Sequence, residues 1–339
     1  MPRWLPTSPK HLEEAEDRVL SSVKVPIEKY FVEIFDGFQI RTYKILSTNG
    51  NSSKSPLVLI HGFAAGAGFW SLNFDELSQE QDVYAIDLLG FGRSSRPKFP
   101  NDQDDIENMF VSSIESWRKA VGIVDMVLLG HSFGGYLAVL YSMVYPNRVV
   151  HLILADPWGF PERDVLENYF SKWKLCVFTA LASTLNPLAI LRAFGPYGPS
   201  LVSRLRPDIK ERYERLYGDG DTRVTDYIYH CNAQEPSGEI AFFTISSIGF
   251  ANRPLNQRIQ AMSPQVPITI LYGSNSWVIK FYNFNYVRSI LRDSYIKIYE
   301  IKDASHHLYA DQVDEFNRLV IKACNSVRKK MESMKVTQV

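Results

Sequence analysis

Short apolar runs alternate along this chain with stretches of helical period, and their order predicts the fold. Strand-like apolar runs stand at Pro56–Ile60, Val83–Asp87, Met126–Leu129, Val150–Ala155 and Ile268–Tyr272. A run of this kind with no polar face suits a strand buried on both sides of a parallel sheet. Tyr295–Ile301 is predicted as the last strand, and residues 30–46 alternate around Asp36-Gly37, which predicts a hairpin. Leu12, Ala15, Val19 and Val23 fall at helical spacing, and helices are predicted at Ile106–Ala120 and Val313–Met334. The acidic stretch Asn101–Asp105 reads as a solvent-facing loop. Strand, helix and crossover repeated in this way predict an α/β fold, a mostly parallel sheet with helices on both faces.

Between Phe160 and about Leu255 the strand–helix alternation stops. Apolar helices are predicted at Trp173–Thr184 and Leu188–Phe194, followed by a basic run through Arg204, Arg206, Lys210, Arg212 and Arg215. The basic run reads as a solvated helix face. The expected organisation is a core of residues 26–158 and 256–339, an inserted helical cap over 159–255, and an N-terminal segment 1–25. That segment reads as a helix docked on the domain, with Trp4 and Leu5 suited to a lipid interface.

The chemistry centres on Gly130-His131-Ser132-Phe133-Gly134-Gly135, where the strand at Met126 passes into a helix-like run. G-x-S-x-G between strand and helix reads as a nucleophile elbow, with Ser132 exposed at a sharp turn. The glycines remove side-chain bulk around the serine, and the helix start points free N–H groups at a developing oxyanion. His61-Gly62-Phe63, just past an earlier strand, supplies the second donor, so the N–H groups of Phe63 and Phe133 form the expected oxyanion hole. No phosphate-loop pattern is present.

Composition narrows the reading by exclusion. Lysine plus arginine equals aspartate plus glutamate at 37 each, so no net field points to nucleic acid. Cys176, Cys231 and Cys324 are widely spaced, form no zinc pattern and suit a reducing compartment. No secretory leader or membrane span is legible, no metal or cofactor is called for, and an intracellular location is expected.

A serine nucleophile takes its partners in the chain order serine, acid, histidine. The loop after the last strand holds His306 and His307. His306 is the expected base, because it stands earlier and opens His-x-x-x-x-Asp with Asp311. His61 and His131 read as structural groups beside the elbow. The acid belongs after Ile268–Tyr272, yet Gly273–Lys280 contains no carboxylate. Two alternatives stand: Asp156, at the end of the preceding strand, supplies the acid, or the chain has lost efficient hydrolysis and keeps the pocket for binding.

These residues resemble an α/β-hydrolase of the abhydrolase-domain 4/5 branch over nearly the whole chain. The resemblance is carried by Trp4-Leu-Pro, His11-Leu-Glu-Glu-Ala-Glu, Asp87-Leu-Leu-Gly-Phe-Gly-Arg-Ser-Ser-Arg-Pro, Asp156-Pro-Trp-Gly-Phe-Pro-Glu-Arg, Tyr227-Ile-Tyr-His-Cys-Asn and Tyr309-Ala-Asp-Gln. It implies an α/β-hydrolase fold and action on acyl lipids, as a phospholipid acyl hydrolase or a lysophosphatidic acid acyltransferase. In this branch the acyltransferase activity is ascribed to the pattern matched by His306 and Asp311. The resemblance further implies a peripheral place at a lipid-droplet or membrane surface, with a triacylglycerol lipase as partner. Ser132 matches the hydrolytic member of the branch, whereas Ile279 stands where the branch has its acid. That departure favours the alternative of a weakly active or inactive co-activator of a triacylglycerol lipase.

Overall fold

The computed structural model describes residues 7–49, 54–162, 187–247, 249–291 and 293–336. Eight strands make one sheet: β1 (Glu28–Glu33), β2 (Gln39–Ile45), β3 (Leu57–Ile60), β4 (Val83–Ile86), β5 (Met126–His131), β6 (Val149–Ala155), β7 (Ile268–Gly273) and β8 (Ile296–Ile301). Their spatial order is β1-β2-β4-β3-β5-β6-β7-β8. The β1–β2 and β2–β4 pairs are antiparallel, and every other pair is parallel.

The apolar runs divide their side chains between two cores, as the strand period of two requires. In β3, Val58 and Ile60 face a core with Phe110 of α2 (Gln103–Ala120) and Leu137 of α3 (Phe133–Val144). Leu57 and Leu59 face the opposite core, with Leu12 of α1 (Pro9–Leu20) and with Phe316 and Val320 from the C-terminal helix Val313–Val336. Helix α2 starts earlier than expected. Asp102 accepts from the N–H groups of Asp104 and Asp105 at 2.8 and 3.3 Å, so the acidic stretch is a helix cap and first turn instead of a free loop.

The segment between β6 and β7 folds, in its described part, as α4 (Pro187–Ala193), α5 (Gly198–Leu205), α6 (Pro207–Tyr217), α7 (Arg223–Ala233) and α8 (Gly238–Ile245). The helix expected at Trp173–Thr184 lies outside the described residues. We label Val313–Val336 α9. No helix among the described residues is long and apolar enough to cross a membrane.

Helix α1 fastens this segment to the sheet. Leu12, Ala15, Val19 and Leu20 are buried, and Glu16 is buried on the same face. Its carboxylate accepts from Arg41 Nη2 at 2.6 Å, from Arg93 Nη1 at 2.9 Å and from the Tyr43 hydroxyl. On its outer side, Arg18 meets Asp226 of α7 at 2.6 Å, and Thr7 Oγ1 lies 2.8 Å from His230 Nδ1. Trp4 and Leu5 lie outside the described residues. Deleting the Glu16 carboxylate leaves the buried Arg41 charge uncompensated. Glu16→Ala is therefore expected to lower the free energy of unfolding by about 3–5 kcal/mol, measured by urea denaturation. A loss below about 1 kcal/mol would place this cluster among ordinary surface ion pairs.

Candidate active site

The register of the sheet sets three chain ends side by side. His131 of β5 pairs with Ala155 of β6, and Ala155 pairs with Leu271 of β7. Ser132 and Asp156 are thus the first residues beyond two adjacent strands, at the carboxyl edge where open α/β sheets bind ligands.

Ser132 occupies the sharp turn from β5 into α3 with φ 53° and ψ −117°. The surrounding backbone holds that strained conformation. The Ser132 N–H donates to the Ala155 carbonyl at 3.1 Å, and the Ser132 carbonyl accepts from Trp158 N–H at 3.0 Å. Left-handed backbone falls on the serine itself, while Gly134 serves close approach. A Cβ on Gly134 would stand 2.4 Å from the His61 carbonyl oxygen and 2.6 Å from that of Ile60. Phe133 opens α3, so its N–H has no acceptor one turn back within the helix. Phe63 follows β3 through His61-Gly62, and its ring stacks on Phe242 of α8 with centroids 4.1 Å apart.

His306, in the loop between β8 and α9, joins the two strand ends. Its Nε2 lies 2.9 Å from Ser132 Oγ, and its Nδ1 lies 2.5 Å from Asp156 Oδ2. A carboxylate can only accept, so Nδ1 carries the proton toward Asp156 and Nε2 is left to accept from the serine hydroxyl. Asp156 is fully buried, and its N–H donates to the Leu271 carbonyl at 2.7 Å. Ser276 donates its hydroxyl to the same Oδ2 and accepts from Val278 N–H at 3.1 Å. The loop after β7, which lacks a carboxylate, thus presents a hydroxyl to the carboxylate of its neighbour. Ile279 is half-buried and packs against the main core.

Asp311 is engaged elsewhere. Its Oδ2 accepts from the Ser305 N–H at 2.8 Å and from the Ser305 hydroxyl at 2.7 Å, and its Oδ1 pairs with Arg212 of α6. Both ring nitrogens of His306 are taken by Asp156 and Ser132, so the two ends of His-x-x-x-x-Asp face different partners. The basic run is also only partly solvated. Ile209, Arg212 and Tyr213 fall at i, i+3 and i+4 on one face of α6, and the Arg212 side chain keeps 11% of its exposure. Ser276 and Arg212 are the two residues overlooked in the sequence. The helical spacing of Arg212 with buried Ile209 and Tyr213 carried the signal for one, and nothing in the local pattern marked the other.

His61, His131 and His307 frame the site, and burial favours the neutral form of each. Burial lowers His61 to about 4. Its Nε2 accepts from Leu88 N–H at 3.0 Å, leaving Nδ1 to donate to the Gly62 carbonyl at 2.7 Å. His131 donates from Nε2 to the His306 carbonyl at 2.8 Å, and burial holds it well below the ordinary imidazole range. His307 is likewise lowered by burial, with Nδ1 3.0 Å from the Tyr309 hydroxyl. Above Ser132 opens a cavity of roughly 440 Å³ with Phe63, Phe69, Trp158, Leu191, Phe242 and Trp277 among its walls. Among the described residues, no group of three or more His, Cys, Asp or Glu side chains could hold a metal ion.

A mostly parallel sheet with a serine elbow and a histidine returning after the last strand defines an α/β-hydrolase. The family model described as the alpha/beta hydrolase fold matches residues 55–312, and the chain belongs to that family. Within it the chain falls in the abhydrolase 4/5 branch. It is 48% identical over 325 residues to the 1-acylglycerol-3-phosphate O-acyltransferase ABHD5 of Rattus norvegicus, covering 95% of this chain and 91% of that protein. It is 45% identical to the (lyso)-N-acylphosphatidylethanolamine lipase of Homo sapiens, covering 95% and 93%. Solved structures of similar fold include a bacterial membrane phospholipase A (TM-score 0.61, 19% identity, 94% of this chain and 91% of that one). The naproxen esterase of Bacillus subtilis is another (TM-score 0.63, 17% identity, 92% and 96%).

Proposed function

We propose that this protein is a serine-dependent acyl hydrolase or acyl transferase of lipid esters, in which Ser132 is nucleophile, His306 base and Asp156 acid. The observation that carries this reading is the unbroken Ser132–His306–Asp156 hydrogen-bonded chain at the floor of an apolar cavity. His306 Nε2 takes the hydroxyl proton as Ser132 attacks the ester carbonyl, and Asp156 stabilises the imidazolium that forms. The N–H groups of Phe63 and Phe133 receive the oxyanion. Collapse of the tetrahedral species expels the alcohol of an ester donor, or the thiol of an acyl-CoA donor, which leaves with the proton from His306. Ser132 then holds the acyl group. Water or the hydroxyl of a lysolipid, deprotonated by His306, takes the acyl group and frees the serine.

The relatives named above, an acyltransferase of 1-acylglycerol-3-phosphate and a lipase of N-acylphosphatidylethanolamine, support acyl-lipid substrates. Residues 159–255 then act as a cap whose apolar side chains receive the acyl chain, and the protein works peripherally at a cytoplasmic membrane or droplet surface. Ile279, which stands where the abhydrolase 4/5 branch that this chain resembles has its acid, favours a second reading: a co-activator that binds a triacylglycerol lipase.

Purified protein is to be assayed with 1-acylglycerol-3-phosphate plus acyl-CoA and, separately, with N-acylphosphatidylethanolamine in mixed micelles. Turnover of one of them, abolished by prior treatment with a fluorophosphonate, is the expected result. No turnover by folded protein, with stimulation of a triacylglycerol lipase that survives Ser132→Ala, would replace it with the second reading.

A further inference from the structure

We propose that Asp311 and Arg212 form a latch through which the helical cap positions His306, so that Asp311 serves as a positioning residue instead of a second acid. This inference rests on the role given to Ser132 and His306 above. It starts from where the His306 loop is held. Behind the imidazole, the loop crosses the end of β7 so closely that a Cβ on Gly273 would stand 2.4 Å from the carbonyl oxygens of both Ala304 and Ser305. Asn275 N–H donates to the Ala304 carbonyl at 2.8 Å, and His131 Nε2 donates to the His306 carbonyl at 2.8 Å. These contacts fix the carbonyls of Ala304 and His306. The amide and hydroxyl of Ser305, between them, are held by Asp311 alone on the carboxylate side, at 2.8 and 2.7 Å.

Asp311 is itself held from the cap. Its second oxygen pairs with Arg212 Nη2, which also lies 3.3 Å from Ser305 Oγ. The two side chains keep only 11% and 10% of their exposure. At that burial the pair is screened little by salt, and removal of one charge leaves the other without compensation. Ser305 directly precedes His306, so the latch acts one peptide away from the imidazole that must meet both Ser132 and Asp156. The Asp311 main chain adds stiffness, since its N–H donates to the His307 carbonyl at 3.0 Å and closes the turn that follows the base.

The spacing of His306 and Asp311 follows from this geometry. One turn of chain lets the carboxylate fold back onto the residue before the histidine. A carboxylate reaching the imidazole itself would compete with Asp156 for Nδ1. The cap therefore contributes to catalysis without touching the reacting atoms. A cap displaced from its place would loosen the base together with the acyl site.

The test compares wild type with Arg212→Gln, Arg212→Lys and Asp311→Asn. Two readouts are taken: the second-order rate of Ser132 modification by a fluorophosphonate, and hydrogen–deuterium exchange of residues 303–311. Arg212→Gln and Asp311→Asn are each expected to slow modification by about ten- to a hundredfold, the range that a displacement of about 1 Å produces. Exchange in 303–311 should rise by more than any fall in global stability accounts for, as read from the amides of the central strands β5 and β6 in the same experiment. Arg212→Lys, which keeps the charge, should restore most of the rate and of the protection, which a merely structural arginine would not show. Unchanged rates and unchanged exchange in both Arg212→Gln and Asp311→Asn would overturn the latch. If either of these variants unfolds, the Arg212→Lys comparison decides alone, and equal exchange and rate in Arg212→Lys and a folded Arg212→Ala would overturn it. If wild type itself is not modified at Ser132, the proposed function fails, and exchange alone then judges the latch.

Discussion

Ser132→Ala is expected to abolish covalent capture by a fluorophosphonate and to lower turnover of a soluble p-nitrophenyl ester by roughly 10⁶-fold. The magnitude reflects loss of the group that, in the proposed mechanism, forms the acyl-enzyme bond. With no Oγ, His306 Nε2 has no proton to accept, and the remaining members cannot act singly. Alanine retains the Cβ, so the backbone at φ 53° carries the same strain and the contacts with Ala155 and Trp158 remain. The variant should therefore unfold within about 1 kcal/mol of wild type. Loss of reactivity without loss of stability separates a chemical role from a structural one. Residual capture in folded Ser132→Ala, located by peptide mass mapping, would move the nucleophile to another residue.

The second large effect belongs to the acid. Asp156→Asn is expected to lower turnover by about 10⁴-fold, the loss seen in serine proteases when an amide replaces the oriented carboxylate. The amide offers His306 Nδ1 either an oxygen without the negative charge that stabilises the imidazolium, or its N–H₂ group, which selects the wrong imidazole tautomer. Ser276 already donates its hydroxyl to Oδ2, so an amide nitrogen at that position meets a second donor. Ile279→Asp is the companion variant. Because Nδ1 is occupied at 2.5 Å and Ile279 packs against the core, a carboxylate at 279 should bring no gain in turnover and a loss of stability of about 1–3 kcal/mol. A tenfold or greater rise in Ile279→Asp, beside a mild effect in Asp156→Asn, would show that the working acid had been lost and not relocated.

Much of this was legible because the relevant signals are local. The elbow is a contiguous string whose neighbours report strand and helix, and His306 lies in one short loop after the last strand. The acid was legible only as a pair of alternatives. Asp156 and His306 are 150 positions apart, and no local pattern says whether a residue after β6 can reach a loop after β8. The acidic stretch at Asn101–Asp105 was misread because polarity suits both a loop and a helix start. The deciding fact was that Asp102 caps the N–H groups of Asp104 and Asp105.

The sequence by itself determined the alternation of buried strands and helices, and with it the sheet. It also determined the serine at the turn, the histidine after the final strand and the absence of a carboxylate after β7. Hydrophobic period and glycine placement act within a few residues, so they can be read along the chain. Tertiary structure alone decided which groups meet. The parallel register of β5, β6 and β7 puts Ser132 and Asp156 beyond neighbouring strands, and Ser276 turns the acid-free loop into a partner for Asp156. Packing of α6 on the His306 loop turns Arg212 inward onto Asp311. Each of these is a long-range contact fixed by packing and charge compensation in the folded chain, and a one-dimensional pattern does not record the distance across which such groups pair.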